Sequence, residues 1–273
     1  HAPGMLLSPL LRKGIALTRE VRAQVPVVTG VTALAAEGDT AVRSVTASTG
    51  DGRARRYDCE LLLLHQGVVP NVNLALAAGV AHRWNEAQLC WSPVIDEDGQ
   101  TSVPGIAVAG DGAGIAGAWA AEQRGRLAAV AAIKALKPEA RPDEQEFRNA
   151  LRRSEFGRRF LDIMYQPARQ FRLPADATLA CRCEEVTAGE IRKTAALGCE
   201  GPNQMKALLR CGMGPCQGRM CGLTITELIA EARGVPPEAV GYFRLRPPVK
   251  PVSLAEIAGI PASQAASDAV FRR

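Results

Sequence analysis

Five of the chain's eight cysteines fall in two short stretches. Cys181 and Cys183 stand one residue apart in "LACRCEEV". Cys211, Cys216 and Cys221 share "LRCGMGPCQGRMCGL". Taken together, Cys181, Cys183, Cys216 and Cys221 read C-x-C … C-x4-C, and Cys211 offers a second C-x4-C with Cys216. Two thiolates one residue apart can face one ion only from an extended loop. The glycines around Cys216 allow that loop to turn backbone N–H groups toward sulfur. Four thiolates suit a [2Fe-2S] cluster, and they also suit structural zinc. Zinc sites usually space both close pairs by two to four residues, so the one-residue spacing favours iron–sulfur. Disulfides explain the pattern less well. A chain this long needs no stapling and no export signal is visible, so the expectation is a reduced, cytoplasmic protein. Cys59 and Cys90 stand alone and read as inert thiols in packed surroundings.

A second chemical feature is the turn in "GIAVAGDGAGIAGAWAAEQRG". An apolar strand at Ile106 to Ala109 runs into Gly110-Asp111-Gly112-x-Gly114 and then an Ala-rich helix. Glycines there let the backbone approach a bulky ligand. The helix start offers free N–H groups to a pyrophosphate, and Asp111 can accept hydrogen bonds from sugar hydroxyls. No general base, Ser-His-Asp set or paired-carboxylate site stands out among the three histidines and the acidic residues, so the catalytic residues stay unassigned.

These features need elements to hold them. A helix is predicted over Leu10 to Glu20, then strands with a hairpin in "VPVVTGVTALAAEGDTAVRSVTAST". A short apolar strand is expected at Glu60 to Leu64, a Gly/Pro loop through Gly67 to Asn71, and a short helix in "NLALAAGV". The Ala-rich helix should run to about Leu136. Around the cysteines, "VTAGEIRKTAALG" carries a capping box at Thr187 and Glu190 and stops at Gly198. "GPNQMKALLR" opens with Pro202, and Cys221 opens a third helix. The net charge of +5 comes without a basic stripe interleaved with aromatics, which argues against nucleic-acid binding. No apolar run approaches membrane-spanning length.

The cysteine stretch resembles the bacterioferredoxin-associated-ferredoxin-like (BFD-like) [2Fe-2S] domain. That family has C-x-C, a gap of about thirty residues, and a close cysteine pair leading into a helix. The resemblance implies Cys181, Cys183, Cys216 and Cys221 as ligands, with Cys211 a bystander or an alternate. The close pair here is C-x4-C, where short members of that family have C-x2-C. "TSVPGIAVAGD" resembles the second flavin-contacting motif of two-dinucleotide-domain flavoproteins, and "LLLLHQGVVPN" resembles their return strand. Gly67, Gly110, Asp111 and Gly112 are the flavin contacts this implies. The N-terminal GxGxxG units of that fold are missing, so the FAD site is expected to be incomplete here, and NAD(P) stays a possible cofactor without a motif to support it. The chain is expected to be the C-terminal portion of a longer protein.

Taken as a whole, the chain resembles the A (alpha) subunits of opine oxidase-like FAD and [2Fe-2S] amino-acid dehydrogenases, with D-hydroxyproline dehydrogenase and hydrogen cyanide synthase subunits as relatives. The implied fold class is α/β: a partial Rossmann-like flavoprotein fold plus a small, mostly helical BFD-like domain. The expected division is 1–58, the back half of an inserted NAD(P)-type domain; 59–137, the end of the FAD domain; 138–175, a helical connector; 176–245, the cluster domain; and 246–273, a Pro-rich tail. The resemblance implies an oxidoreductase subunit acting on C–N bonds. It would pass electrons between flavin and cluster beside an FAD-dependent amino-acid oxidase-like partner. Any membrane association would run through a partner or a quinone acceptor. Three other readings stay open: a self-sufficient NAD(P)H-dependent flavin reductase, a zinc-stabilised interaction module without redox function, and a cluster-based iron or redox sensor in which the flavin remnant is only scaffold.

Overall fold

The structure is a computed structural model describing residues 2–260 and 263–264. It opens with helices α1 (Ala2–Leu6) and α2 (Pro9–Gln24) and an antiparallel sheet of β1 (Val31–Glu37), β2 (Ser44–Thr49) and β3 (Ala54–Asp58). Ser8 caps α2, with its hydroxyl accepting from the Leu10 N–H at 3.1 Å. The helix is four residues longer at its C-terminal end than the sequence suggests, and none of its side chains is buried. The hairpin expected after it forms with β2 central, pairing Leu34 with Ala47 and Val45 with Tyr57. Val45 and Ala47 on β2 are buried, while β1 and β3 are largely exposed.

The strand expected at Glu60 to Leu64 is absent. Residues 59–72 take no regular structure, and Leu61, Leu63 and Leu64 are exposed. A strand needs a neighbour to satisfy its N–H and C=O groups, and among the described residues no strand lies beside this segment. The strand expected at Ile106 to Ala109 is likewise reduced to an isolated bridge between Gln100 and Ala107, and its residues are half-buried or exposed. One bridge cannot make the buried central strand that the apolar run implies.

Short helix α3 (Asn73–Ala77) leads into the hairpin β4 (His82–Asn85) and β5 (Cys90–Pro93). Across it Trp84 and Trp91 pack edge to face, with centroids 5.9 Å apart. Helix α4 (Ala118–Leu136) buries Ala120, Leu127 and Val130, spaced to share one face. The connector contains α5 (Gln145–Glu155), α6 (Arg158–Met164) and α7 (Arg169–Arg172).

The densest core lies further on. The small ladder β6 (Leu179–Cys181) and β7 (Val186–Thr187) precedes α8 (Ala188–Ala196), α9 (Pro202–Leu209), α10 (Gly222–Arg233), α11 (Pro237–Val240) and α12 (Leu254–Ala258). The Thr187/Glu190 capping box is present at α8, and Pro202 starts α9. Ile191, Met205, Ile225, Leu228, Ile229 and Phe243 form a closed apolar centre. Arg172 of α7 reaches the buried Glu227 of α10, and Arg169 and Arg192 both pair with Glu231. The Arg169 and Arg172 pairs tie the connector to the cysteine domain, and the Arg192 pair braces α8 against α10 within it.

Candidate functional site

Two turns carry the cysteines. The first joins β6 to β7: Cys181 is buried at the end of β6, and Cys183 is exposed at the turn. The second joins α9 to α10. Arg210 ends α9 in the left-handed region, and Gly212, Gln217 and Gly218 also have positive φ. The loop therefore folds back on itself before Cys221 opens α10.

The two turns lie side by side. Cys183 and Cys216 shift each other's titration, and Cys181 shifts that of Cys221, so these thiols are neighbours across the turns. The loops fit closely: a Cβ on Gly214 would stand 2.2 Å from the Cys183 Cβ. Burial pushes the Cys216 thiol up, but the N–H groups of Met220, Gly218 and Arg219, with the Cys183 thiol, outweigh it and hold Cys216 below the ordinary thiol value. At Cys183 the Cys216 N–H pulls down, while the Cys216 thiol, burial and nearby sulfur charge together leave it raised. Burial, then Cys181, pushes Cys221 up. Cys211, fully buried, is pushed up to about 12 by burial and by Cys181.

Among the described residues, no group of three or more His, Cys, Asp or Glu side chains closes on one point as a metal-binding set. Cys181, Cys183, Cys216 and Cys221 nonetheless lie on two neighbouring turns. Their chemistry fits a thiolate-held cluster in three respects: four sulfurs come from two facing loops, N–H groups are directed at one sulfur, and a glycine leaves room for Cys183.

Sequence reasoning missed what covers this loop. A Cβ on Gly212 would stand 2.4 Å from the Phe243 ring, and one on Gly222 would stand 2.1 Å from the Tyr242 hydroxyl. Tyr242 and Phe243 pack edge to face at 5.8 Å and lie on the glycines. The chain then runs as a strap over the loop. Gln217 Nε2 donates to the Pro248 carbonyl at 2.7 Å, and Arg219 donates to that of Val249. An aromatic pair in a chain with only 4% aromatic residues was the available clue. Cys199 was also missed; it is buried and its thiol is raised by burial.

The flavin-type turn begins with a 3₁₀ turn at Gly110–Ala113, with Gly110 at φ 71°. Asp111 is exposed, and no side chain caps the start of α4. Arg124 on α4 donates to the Gly114 carbonyl at 2.8 Å and to Glu155 at 2.6 Å, fixing the turn against α5. An open carboxylate, a positive-φ glycine and uncapped N–H groups fit a dinucleotide. Gly67, exposed at φ 109°, lines a cleft of about 810 Å³ with Leu89, Ile115, Arg158, Met220 and Leu223. Gly110 to Gly112 do not line that cleft; they lie just before Ile115 on the same turn. Gly67 and Met220, the residue before Cys221, therefore line one cleft.

Residues 13–135 match the pyridine nucleotide-disulphide oxidoreductase family, and residues 178–260 match the sarcosine oxidase A3 domain. L-proline dehydrogenase from P. horikoshii shares the fold, with a TM-score of 0.68 and 20% identity over 89% of this chain and 48% of that one. Fold and matches define a partial Rossmann-like flavoprotein oxidoreductase fold of α/β class, continued by a small helical domain. Along its whole length the chain is a homologue of the opine oxidase A subunits. It is 48% identical to that of Agrobacterium tumefaciens (strain Ach5) and 46% identical to that of Rhizobium meliloti, covering 55% and 53% of those proteins. It is also 31% identical to hydrogen cyanide synthase subunit HcnB of Pseudomonas aeruginosa over 84% of the chain and 51% of the relative. The chain thus spans about half the length of the curated relatives it matches. No helix among the described residues is long and apolar enough to cross a membrane.

Proposed function

We propose that this chain is the electron-transfer part of an iron–sulfur flavoprotein subunit in a heteromeric amino-acid or opine dehydrogenase or oxidase, which oxidises a C–N bond. Its partner in this reading is an FAD-dependent amino-acid oxidase-like subunit that takes the substrate. Cys181, Cys183, Cys216 and Cys221 would hold the [2Fe-2S] cluster. Gly67, Gly110, Asp111 and Gly112 would contribute to the FAD site. When bound, flavin supplies two-electron chemistry and the cluster one-electron chemistry.

The chain's own residues do the positioning. Asp111 presents an acceptor to sugar-alcohol hydroxyls, and Arg124 keeps the turn in place. The N–H groups of Gly218, Arg219 and Met220 stabilise negative charge on Cys216. Phe243 and Tyr242 exclude water from the back of the loop. The observation that carries the reading is the close approach of the two cysteine turns, where a Cβ on Gly214 would stand 2.2 Å from the Cys183 Cβ and Cys183 neighbours Cys216. Homology to opine oxidase A subunits supports the flavin assignment. The test is to replace Cys216 with serine in the complete subunit, purified without oxygen. The variant is expected to lose the visible absorption of the cluster and keep its flavin. A variant with an unchanged visible spectrum and iron content would reject the ligand set.

A further inference from the structure

We propose that Asn73 is a positioning residue that couples the flavin-side loop to the cysteine loop. This inference rests on the reading of the chain as a flavin and [2Fe-2S] protein. Asn73 opens α3, six residues after Gly67, and is only 3% exposed. Its Nδ2 donates to the backbone carbonyl of Gln217 at 3.1 Å. Its own N–H donates to Asn71 Oδ1 at 3.2 Å, which shapes the Pro70–Asn71 corner leading back to Gly67.

Gln217 is the residue after Cys216, and it sits at φ 51°. A non-glycine residue holds that conformation only where its surroundings impose it. Four contacts hold it here. Its own N–H donates to the Gly214 carbonyl at 2.8 Å, Asn73 binds its carbonyl, Gln217 Nε2 donates to the Pro248 carbonyl at 2.7 Å, and Arg219 donates to Gln217 Oε1 at 2.9 Å. Only the Asn73 contact comes from the flavin side. The Gln217 backbone in turn sets where the Gly218, Arg219 and Met220 N–H groups stand around the Cys216 sulfur. A displacement of the Gly67–Asn71 loop therefore reaches the thiol through one side chain and one peptide unit. A buried amide is costly unless its hydrogen bond is made, so the contact is either made or broken. Flavin held against the Gly67–Asn71 loop in this position would favour the made bond, and by linkage an assembled cluster would tighten flavin binding equally.

The test measures FAD affinity of the complete subunit with its cluster and after anaerobic iron chelation, in wild type, Asn73→Leu and Asn73→Ala. Alanine removes the donor without adding bulk or charge, so it serves if the leucine variant does not fold. Removing the cluster is expected to weaken FAD binding by about fivefold or more in the wild type, the lower end of typical coupling, and by less than about twofold in the variants. The cluster's midpoint potential is expected to shift on FAD addition in the wild type only. Equal weakening in all three proteins, or no weakening in the wild type, would overturn the role of Asn73 and leave the proposed function intact. A wild-type subunit carrying no flavin or no iron–sulfur cluster would reject the functional reading itself.

Discussion

At the residue scale, the cysteine loop turns on space as much as on sulfur. A methyl group at Gly214 would occupy the place of Cys183. Gly214→Ala in the complete subunit is expected to lower iron and acid-labile sulfide per chain severalfold while leaving flavin content unchanged. Cys90 gives a contrasting expectation. Burial pushes its thiol up to about 11 from 9.0, with Ser92 pulling the other way. An acid whose folded value is raised keeps its full contribution below its unfolded value, and stability declines as pH rises from about 9 toward 11. At pH 8 Cys90 should resist iodoacetamide in the native protein and react once urea unfolds it, as mass spectrometry of the labelled chain would report. The spacing of the four cysteines could be read directly from sequence, because C-x-C and C-x4-C are local. The aromatic cover at Tyr242 and Phe243 could not, because it approaches the loop from more than twenty residues away.

Elements whose cause is local were legible too. The capping box of α8, Pro202 at the start of α9 and the apolar spacing of α4 each act within a few residues. Thr187→Ala should remove the cap and cost about 1 kcal/mol, seen as a lower midpoint in thermal unfolding. Gly125 lies inside α4 with nothing within 4 Å of a Cβ, so Gly125→Ala should stabilise by about 0.5–1 kcal/mol. The two strands that failed, at Glu60 to Leu64 and Ile106 to Ala109, share one physical reason. An apolar run marks a segment that packs against something, whereas a strand also requires a paired neighbour, and these segments lack one among the described residues. Gly67 and Asp111 sit just beyond the ends of those two runs, so they could be proposed as flavin contacts from their motifs although the elements expected to carry them do not form.

For the whole molecule, the question is how the flavin-type half and the cysteine domain are held together. Asn73 is one tie, and the ion pairs of the connector are another. Glu227 is 6% exposed and faces Arg172. Burial raises its carboxyl above the ordinary 4.5, and Arg172 pulls it back. Arg172→Met should leave that carboxylate unpaired and cost roughly 2–3 kcal/mol near neutral pH. Because a raised carboxyl favours folding when protonated, the deficit should shrink as pH falls toward 4.5, and urea titrations at two pH values would check it. In the proposed function, thiolates from two loops hold a [2Fe-2S] cluster beside a flavin. The most direct measurement is the metal, sulfide and electron paramagnetic resonance of the complete subunit, purified without oxygen. The account predicts two irons and two acid-labile sulfides per chain, with a paramagnetic signal appearing on one-electron reduction. A colourless protein carrying zinc, or no metal at all, would contradict it.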